Sequence, residues 1–351
     1  MTRHSAPQRR KRPWRRPGTW LLMAMLACAA CALGGAGWVF YYPMTPYTAV
    51  AGLDPTHLSV IALGDQGSGS LQQWTVAHAM ETVAERDGRL DLVALLGDNF
   101  YGKDLTGVDD VSWQTKFEKV YHGPWLSHVP FYVVLGNHDD PSQNVELEYS
   151  RRHVGSGRWQ MPDHSYTRDF GQVDGRPLLR VVFLDSSVDA ADLGDQVQVM
   201  EQAFEQPGPQ PIWRIVTAHH PVREVAAHDQ DSQLAAALLP TLLRQHVDLY
   251  LSGHVHSHQL LLRPGEPAWV ISGGGGQTLD PLLRVNEPHA FAASQAGFVK
   301  LDLSARQLDL VFYNDRADAT ARFTWQRDCP WMANGCLQPV VPAQQLARNT
   351  P

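Results

Sequence analysis

Leu95-Leu96-Gly97-Asp98-Asn99-Phe100-Tyr101 closes an apolar run, Leu90 to Leu96, in which Asp91 is the single charge. Such a run reads as a strand buried on both faces, and it stops at a Gly-Asp-Asn whose carboxylate leaves the strand end pointing outward. Gly-Asp-Asn is also ordinary turn chemistry, so one such segment identifies no site. The sequence, however, repeats the pattern. Ser59 to Leu63 runs into Gly64-Asp65-Gln66-Gly67, and Val129 to Leu135 runs into Gly136-Asn137-His138-Asp139. Ile212 to Thr217 runs into Ala218-His219-His220-Pro221, and Val247 to Ser252 into Gly253-His254-Val255-His256. Taken singly, Asp65, Asp98 and Asn137 have ordinary readings as turn or cap residues, and His219 and His254 as core imidazoles. Five apolar strands that each end in a metal-ligating residue type argue for one collected site.

The connections support that collection. Between the first two blocks, Leu71 to Asp87 carries Trp74, Val76, Ala77, Met80 and Val83 at helical spacing, giving strand, helix, strand and therefore a parallel sheet. Asp110 to Tyr121 and Leu234 to Gln245 read as further helices between strands. Ala268 to Ser272 reads as a short strand entering Gly273-Gly274-Gly275-Gly276, and Phe298 to Leu303 with Leu308 to Phe312 as an antiparallel hairpin. The fold class is α/β. In open α/β sheets, sites form outside the carboxyl ends of the strands, where all five blocks fall.

Composition sets the surroundings. The 351 residues are 44% hydrophobic and 19% charged, a globular composition. The net charge of −7 hides an asymmetry: Arg3, Arg9, Arg10, Lys11, Arg12, Arg15 and Arg16 lie before residue 18 with no acid among them, leaving 22 basic against 36 acidic residues beyond. A domain this acidic repels a phosphate backbone, so no nucleic-acid partner is expected. Thr19 to Tyr42 holds no charge over 24 positions, enough to span a bilayer. The basic flank places the N-terminus in the cytoplasm and everything after Tyr42 outside it, with Trp20, Trp38, Tyr41 and Tyr42 at the interfaces. A cleaved signal peptide is the competing reading, favoured by the small residues from Ala27 to Gly37 and disfavoured by the length of the span. Cys28 and Cys31 sit inside the span and read as packing residues. Cys329 and Cys336 pair in an oxidising compartment, with free thiols or half a metal site as the alternatives. Pro43 to Pro55, rich in Pro, Thr and Gly, is a linker, and nothing outside the blocks marks an oligomer interface.

With the five blocks assembled, the chain resembles the calcineurin-like metallophosphoesterases, and within them the purple acid phosphatases of the small, tartrate-resistant type. The resemblance runs from about Ser59 to Phe312. It implies a four-layer αββα sandwich with a dinuclear metal site at the strand ends. By motif match, Fe(III) would be held by Asp65, Asp98, Tyr101 and His256, and Fe(II), Zn or Mn by Asp98, Asn137, His219 and His254, with Asp98 bridging. His138 matches the family's substrate-binding histidine, and His228, nine residues after His219, its second catalytic histidine. Most metallophosphoesterases carry a ligating His where this chain has Gly67, and Tyr101 supplies the missing ligand. Two positions depart from the family pattern: Ala218 stands where Gly is usual, and His220 where the small animal enzymes often have Tyr, which leaves ligation by His220 open.

The resemblance implies a membrane-anchored acid phosphatase that hydrolyses phosphate monoesters with a metal-activated hydroxide, His138 and His228 holding phosphate and protonating the leaving group. The alternative on the same scaffold is a phosphodiesterase or nucleotide-cleaving enzyme using two divalent metals; a tethered binding protein without turnover is the alternative of another class. The chain then divides into a basic cytoplasmic tail (1–18), an anchor or uncleaved signal (19–42), a linker (43–56), the metallophosphoesterase domain (57–326) and a disulfide-bearing tail (327–351). The catalytic domain would be periplasmic or extracellular, and secreted if the segment is cleaved.

Overall fold

The computed structural model describes residues 21–31, 46–50, 53–226, 232–283, 290–329 and 336–340. Residues 1–43 and 44–351 form separate units. Of the first, residues 21–31 are helical; the rest of the expected span lies outside the described residues, among which no helix is long and apolar enough to cross a membrane.

The second unit is built on two sheets. The first runs in the order β15-β14-β13-β12-β1-β2-β3-β4. Its members are β1 (His57–Leu63), β2 (Leu92–Leu96), β3 (Phe131–Val134), β4 (Trp159–Gln160), β12 (Gly297–Ser304), β13 (Gln307–Asn314), β14 (Ala319–Gln326) and β15 (Leu337–Pro339). Strands β1 to β4 are parallel, and the expected hairpin β12-β13 adds antiparallel to β1, with Leu303 opposite Leu308. The second sheet runs β11-β9-β10-β8-β7-β6-β5. It contains β5 (Tyr166–Val173), β6 (Arg176–Phe183), β7 (Trp213–Thr217), β8 (Leu249–Ser252), β9 (His258–Leu261), β10 (Ala268–Ser272) and β11 (Phe291–Ala293).

Period-two alternation makes the layers. Along the second sheet Leu179, Val181, Phe183, Trp213, Ile215, Leu249, Leu251 and Val270 join one core with the residues of the first sheet. Their neighbours Val182, Val216, Tyr250 and Trp269 point the other way, into a core with α3 (Leu193–Glu205) and α4 (Ser232–Arg244). Each buried strand therefore serves two layers, which is why the runs are apolar throughout. Helix α1 (Leu71–Asp87) buries Val76, Met80 and Val83 in the core of the first sheet. The local chemistry fixes its ends: the Ser70 side chain accepts from the Gln73 N–H, and Gly88, at φ 68°, closes the C-terminus with a bond to the Ala84 carbonyl. A shorter helix, α2 (Gln143–Arg151), follows the third block.

One expected helix differs. Asp110 to Tyr121 forms a helical turn with a π-helical segment, Gln114–Glu118, closed by a bond from Lys119 N–H to the Gln114 carbonyl at 3.0 Å. Within that segment the Lys116 oxygen accepts from the Gln73 side chain at 2.7 Å. The segment also seats Trp113 against Tyr149 and Phe117 against Phe131 and Trp159. At the far end of the chain Cys329 and Cys336 form a disulfide.

Candidate metal centre

The carboxyl ends of β1, β2 and β3 lie side by side in one sheet, and those of β7 and β8 side by side in the other. The two edges are stitched together there. Gly64 N–H donates to the Ser272 carbonyl at 2.7 Å, Gly275 N–H to the Gly64 carbonyl, and Ser272 Oγ to the Ala62 carbonyl. A β-carbon on Gly64 would lie 3.0 Å from Gly253 Cα, so the turns after β1 and β8 almost touch. Asp65, Asp98 and His254, each following a glycine, have φ of 61°, 55° and 66°. Three non-glycine residues in the left-handed region at one place are the backbone strain that functional sites carry.

The side chains gather into two groups. In one, the Tyr101 hydroxyl donates to Asp65 Oδ1 at 3.0 Å and lies 3.3 Å from His256 Nε2, itself 3.5 Å from Asp65 Oδ1. In the other, Asn137 Oδ1 lies 3.1 Å from His219 Nε2 and 3.2 Å from His254 Nδ1, and those two nitrogens are 3.2 Å apart. Asp98 stands between the groups, with Oδ1 3.5 Å from His219 Nε2 and its charge acting on Tyr101. His138 donates its backbone N–H to Asp98 Oδ1 at 2.9 Å, and its exposed ring sits 4.7 Å from the Tyr101 ring. All seven residues expected as ligands are thus brought together, with His138 beside them. His228 lies outside the described residues.

Hydrogen-bond bookkeeping says what this pocket is for. The His219 Nδ1 meets the Leu96 carbonyl at 2.9 Å and the His256 Nδ1 meets the Thr278 carbonyl at 2.7 Å. A carbonyl only accepts, so both rings carry a proton on Nδ1 and turn Nε2 inward. There Nε2 of His219 faces Asn137 Oδ1, and Nε2 of His256 faces the Asp65 carboxylate, which against the opposing effect of burial raises His256 to about 9, so without a cation a proton lies between them. Asp65 is fully buried, and its Oδ2 has no hydrogen-bond partner. Converging ligand atoms around buried carboxylates, one oxygen of which is unpartnered, suit cations that displace the protons held there. The first group, two carboxylates, a phenol and one imidazole, is oxygen-rich and suits a hard ion; the second, two imidazoles, an amide and the shared carboxylate, suits a borderline one. Burial, then Asp65 and Asp98, push the Tyr101 phenol far above its ordinary pKa, so without a cation it is a neutral donor to Asp65.

Gly67 and Tyr101 prove to be physical neighbours. A β-carbon at 67 would lie 2.0 Å from the Asn99 carbonyl oxygen and 2.5 Å from the Phe100 nitrogen. Tyr101 N–H donates to the Gly67 carbonyl at 3.0 Å, and Gly67 N–H to the Asp98 carbonyl at 3.2 Å. The segment that delivers Tyr101 therefore occupies the space a side chain at 67 would need.

Sequence reasoning missed the braces behind the ligands. The buried Asp139 carboxylate accepts the backbone N–H groups of Asn99, Phe100 and Gly136 at 2.9 to 3.0 Å, tying the second block to the third. The Asn99 amide donates to Asp139, to Glu146 and to the Val134 carbonyl, and its oxygen accepts from Gln66. Burial, then the Asp98 charge, raises Asp139 to about 7, and burial, then the Asp139 charge, raises Glu146 well above the usual carboxylate range. Asp139 was visible as the last residue of its block; Glu146, on α2, carries no sequence signal. The Lys116 ammonium caps the Tyr101 carbonyl, and Ser186 lies 3.0 Å from His220 Nδ1.

The chain is similar to known proteins. Purple acid phosphatase 7 of Arabidopsis thaliana is 29% identical over 273 residues, covering 73% of this chain and 82% of that protein. Tartrate-resistant acid phosphatase type 5 of Mus musculus is 27% identical over 288 residues, covering 73% and 86%. Among solved structures, GAP50, the anchor in the inner membrane complex of Plasmodium, superposes with a TM-score of 0.66 at 23% identity over 76% of this chain and 88% of that one, a likeness of fold. The model of the calcineurin-like phosphoesterase family matches residues 58–258, more than half of the sequence, and this chain belongs to that family.

Proposed function

We propose that the protein is an acid phosphatase of the purple type that hydrolyses phosphate monoesters at a dinuclear centre, tethered by its N-terminal segment with the catalytic domain outside the cytoplasm. The observation that carries the reading is the convergence of ligand atoms from Asp65, Asp98, Tyr101, Asn137, His219, His254 and His256, among them a buried Asp65 oxygen without a hydrogen-bond partner, with no space for a side chain at position 67. Asp65, Asp98, Tyr101 and His256 would hold Fe(III); Asp98, Asn137, His219 and His254 would hold Fe(II), Zn or Mn. When bound, the two ions supply Lewis acidity and acidify water to a nucleophile. The chain's own groups do the rest. Asp65, Asp98 and a Tyr101 phenolate contribute three negative charges against five positive, so the site stays cationic inside an acidic domain and attracts a phosphate dianion. His138, exposed beside Tyr101, is placed to hold a phosphate oxygen, and His228 is assigned the proton for the leaving alkoxide.

Metal content and the visible spectrum of the purified protein test this. A phenolate-to-ferric charge transfer gives colour, and Tyr101→Phe should abolish it while the ring keeps the fold intact. A colourless, iron-free wild type active with divalent ions alone would refute the purple type, and turnover of a diester in preference to a monoester would move the substrate to the alternative class. For the tether, the uncharged Thr19 to Tyr42 behind seven basic residues is the support. A reporter fused after Pro55 should be active outside the cytoplasm, and cytoplasmic activity would overturn the topology. The likeness to GAP50, described as an anchor, favours one second reading, a tethered binding protein, which absence of turnover in metal-loaded protein would support.

A further inference from the structure

Behind the second group stands an imidazole that the seven-ligand scheme leaves unused. His220 follows His219 directly, and its ring lies 4.5 Å from that of His254 and 5.0 Å from that of His219, centroid to centroid. One ligating nitrogen from each of His219, His220 and His254 fits within a cluster whose members are all within 4.8 Å of one another. The ring is held in place. Pairing of β6 with β7 brings Phe183 opposite Thr217, and Leu184 N–H bonds the Thr217 carbonyl, so the turns after the two strands run together. Ser186 Oγ then accepts the His220 backbone N–H at 2.9 Å and lies 3.0 Å from its Nδ1, while the Tyr250 hydroxyl donates to the His220 carbonyl at 2.9 Å. Three bonds to buried partners fix the residue at its N–H, its carbonyl and its ring.

We propose that His220 is a third imidazole ligand of the second metal, presented by Ser186. The inference rests on the dinuclear reading above. His219 and His256 share one arrangement, Nδ1 engaged by an outer oxygen and Nε2 turned to the centre, whereas His254 turns Nδ1 inward. His220 has its Nδ1 engaged by the Ser186 hydroxyl, and a hydroxyl that accepts the Nδ1 proton would leave Nε2 for the ion. The second ion then meets three nitrogens, from His219, His220 and His254, beside Asn137 and Asp98. Nitrogen donors favour Co(II), Ni(II), Cu(II) and Zn(II) over Mn(II) and Mg(II), so this donor set makes the second site selective for borderline cations.

The test uses the full chain with iron retained at the first site and the second metal removed, titrated with Co(II), whose ligand-field bands report its donors. His220→Ala should weaken Co(II) binding at least tenfold and change those bands, with free imidazole restoring both. Ser186→Ala, which keeps the ring, should weaken binding by a smaller factor and leave the bands in place. The phenolate band of the first site should be unchanged in both variants. Co(II) bound to His220→Ala within about twofold of wild type, with the same bands, overturns the proposal; if that variant loses the phenolate band too, Ser186→Ala decides, and wild-type affinity there overturns it. A wild type that is coloured and hydrolyses monoesters while His220→Ala is indifferent refutes this inference alone. A wild type with neither colour nor a Co(II) site refutes the dinuclear reading and this inference with it.

Discussion

Gly67→Ala is the smallest change that tests the coupling of the first block to the second. Gly67 is not among the residues with positive φ, so alanine meets no backbone penalty there and the whole effect is contact. The new methyl would sit 2.0 Å from the Asn99 oxygen and 2.5 Å from the Phe100 nitrogen, where real contacts do not fall below 3.0 Å. Both obstructing atoms are backbone, so the segment 99–101 has to move by roughly 1 Å. Overpacking of this kind costs about 1–3 kcal/mol. The bonds between Gly67 and Asp98 and between Tyr101 and Gly67 are strained or lost with it, at about 1 kcal/mol each. Against this, alanine restricts the unfolded chain and returns about 0.4–1 kcal/mol. The net expectation is a loss of about 2–5 kcal/mol, measured by urea unfolding of the metal-free protein. Because the displaced segment ends at Tyr101, the phenolate band of the loaded protein should also shift or fade. A variant within about 0.5 kcal/mol of wild type whose band is unchanged would refute the argument that the glycine makes room for the tyrosine's segment.

Two further outcomes follow from the buried charges. Glu118 and Arg158 form an ion pair at 2.9 Å with both side chains 2% exposed or less, and Glu118 also accepts from Tyr149 and Ser156, so Glu118→Ala strands a guanidinium and should cost about 3–5 kcal/mol in urea unfolding. In metal-free protein Asp139 titrates near 7 when folded and near 3.8 when unfolded, so between those values the folded state binds more protons and stability falls as pH rises. The part of the drop due to Asp139 is on the order of 4 kcal/mol across the window, and Asp139→Asn should make the profile shallower while the raised Glu146 and Asp65 keep a slope of their own; an Asp139→Asn profile as steep as the wild type would show that Asp139 keeps an ordinary pKa.

What could be read in advance was what the chain encodes locally. The bounds of α1 were legible because a serine cap and a glycine stop bracket a helical apolar pattern, and β1, β2, β7 and β8 because strands buried on both faces are apolar runs that end in polar turns. The hairpin β12-β13 was legible from two apolar runs around a short polar turn. Less legible were β5, an edge strand with one buried residue of eight, and α2, where buried Glu146 and Ser150 share the inner face with Leu147 and Tyr149. The segment around Gln114 was misread because its side chains have helical spacing, which does not distinguish an i to i−5 bond such as Lys119 to Gln114 from the α-helical one.

The same division runs through the site. The ligands announce themselves because each sits at the end of its own strand, a local relation. Their orientation is set by partners from elsewhere in the chain: Leu96 for His219, Thr278 for His256, Asp139 for the turn carrying Asp98, Ser186 for His220. Two of these partners act through backbone groups, the Leu96 and Thr278 carbonyls. A backbone group has the same chemistry at every position, so no residue type can signal its role. Asp139 is a side-chain partner, and so is Ser186. It meets His220 because β6 and β7 are neighbours in register, which becomes readable only once the strand order is known. The left-handed backbone at Asp65, Asp98 and His254 belongs with these hidden features. Glycine would adopt it at lower cost, yet each of these positions needs a side chain, so the strain sits where the chemistry leaves no alternative.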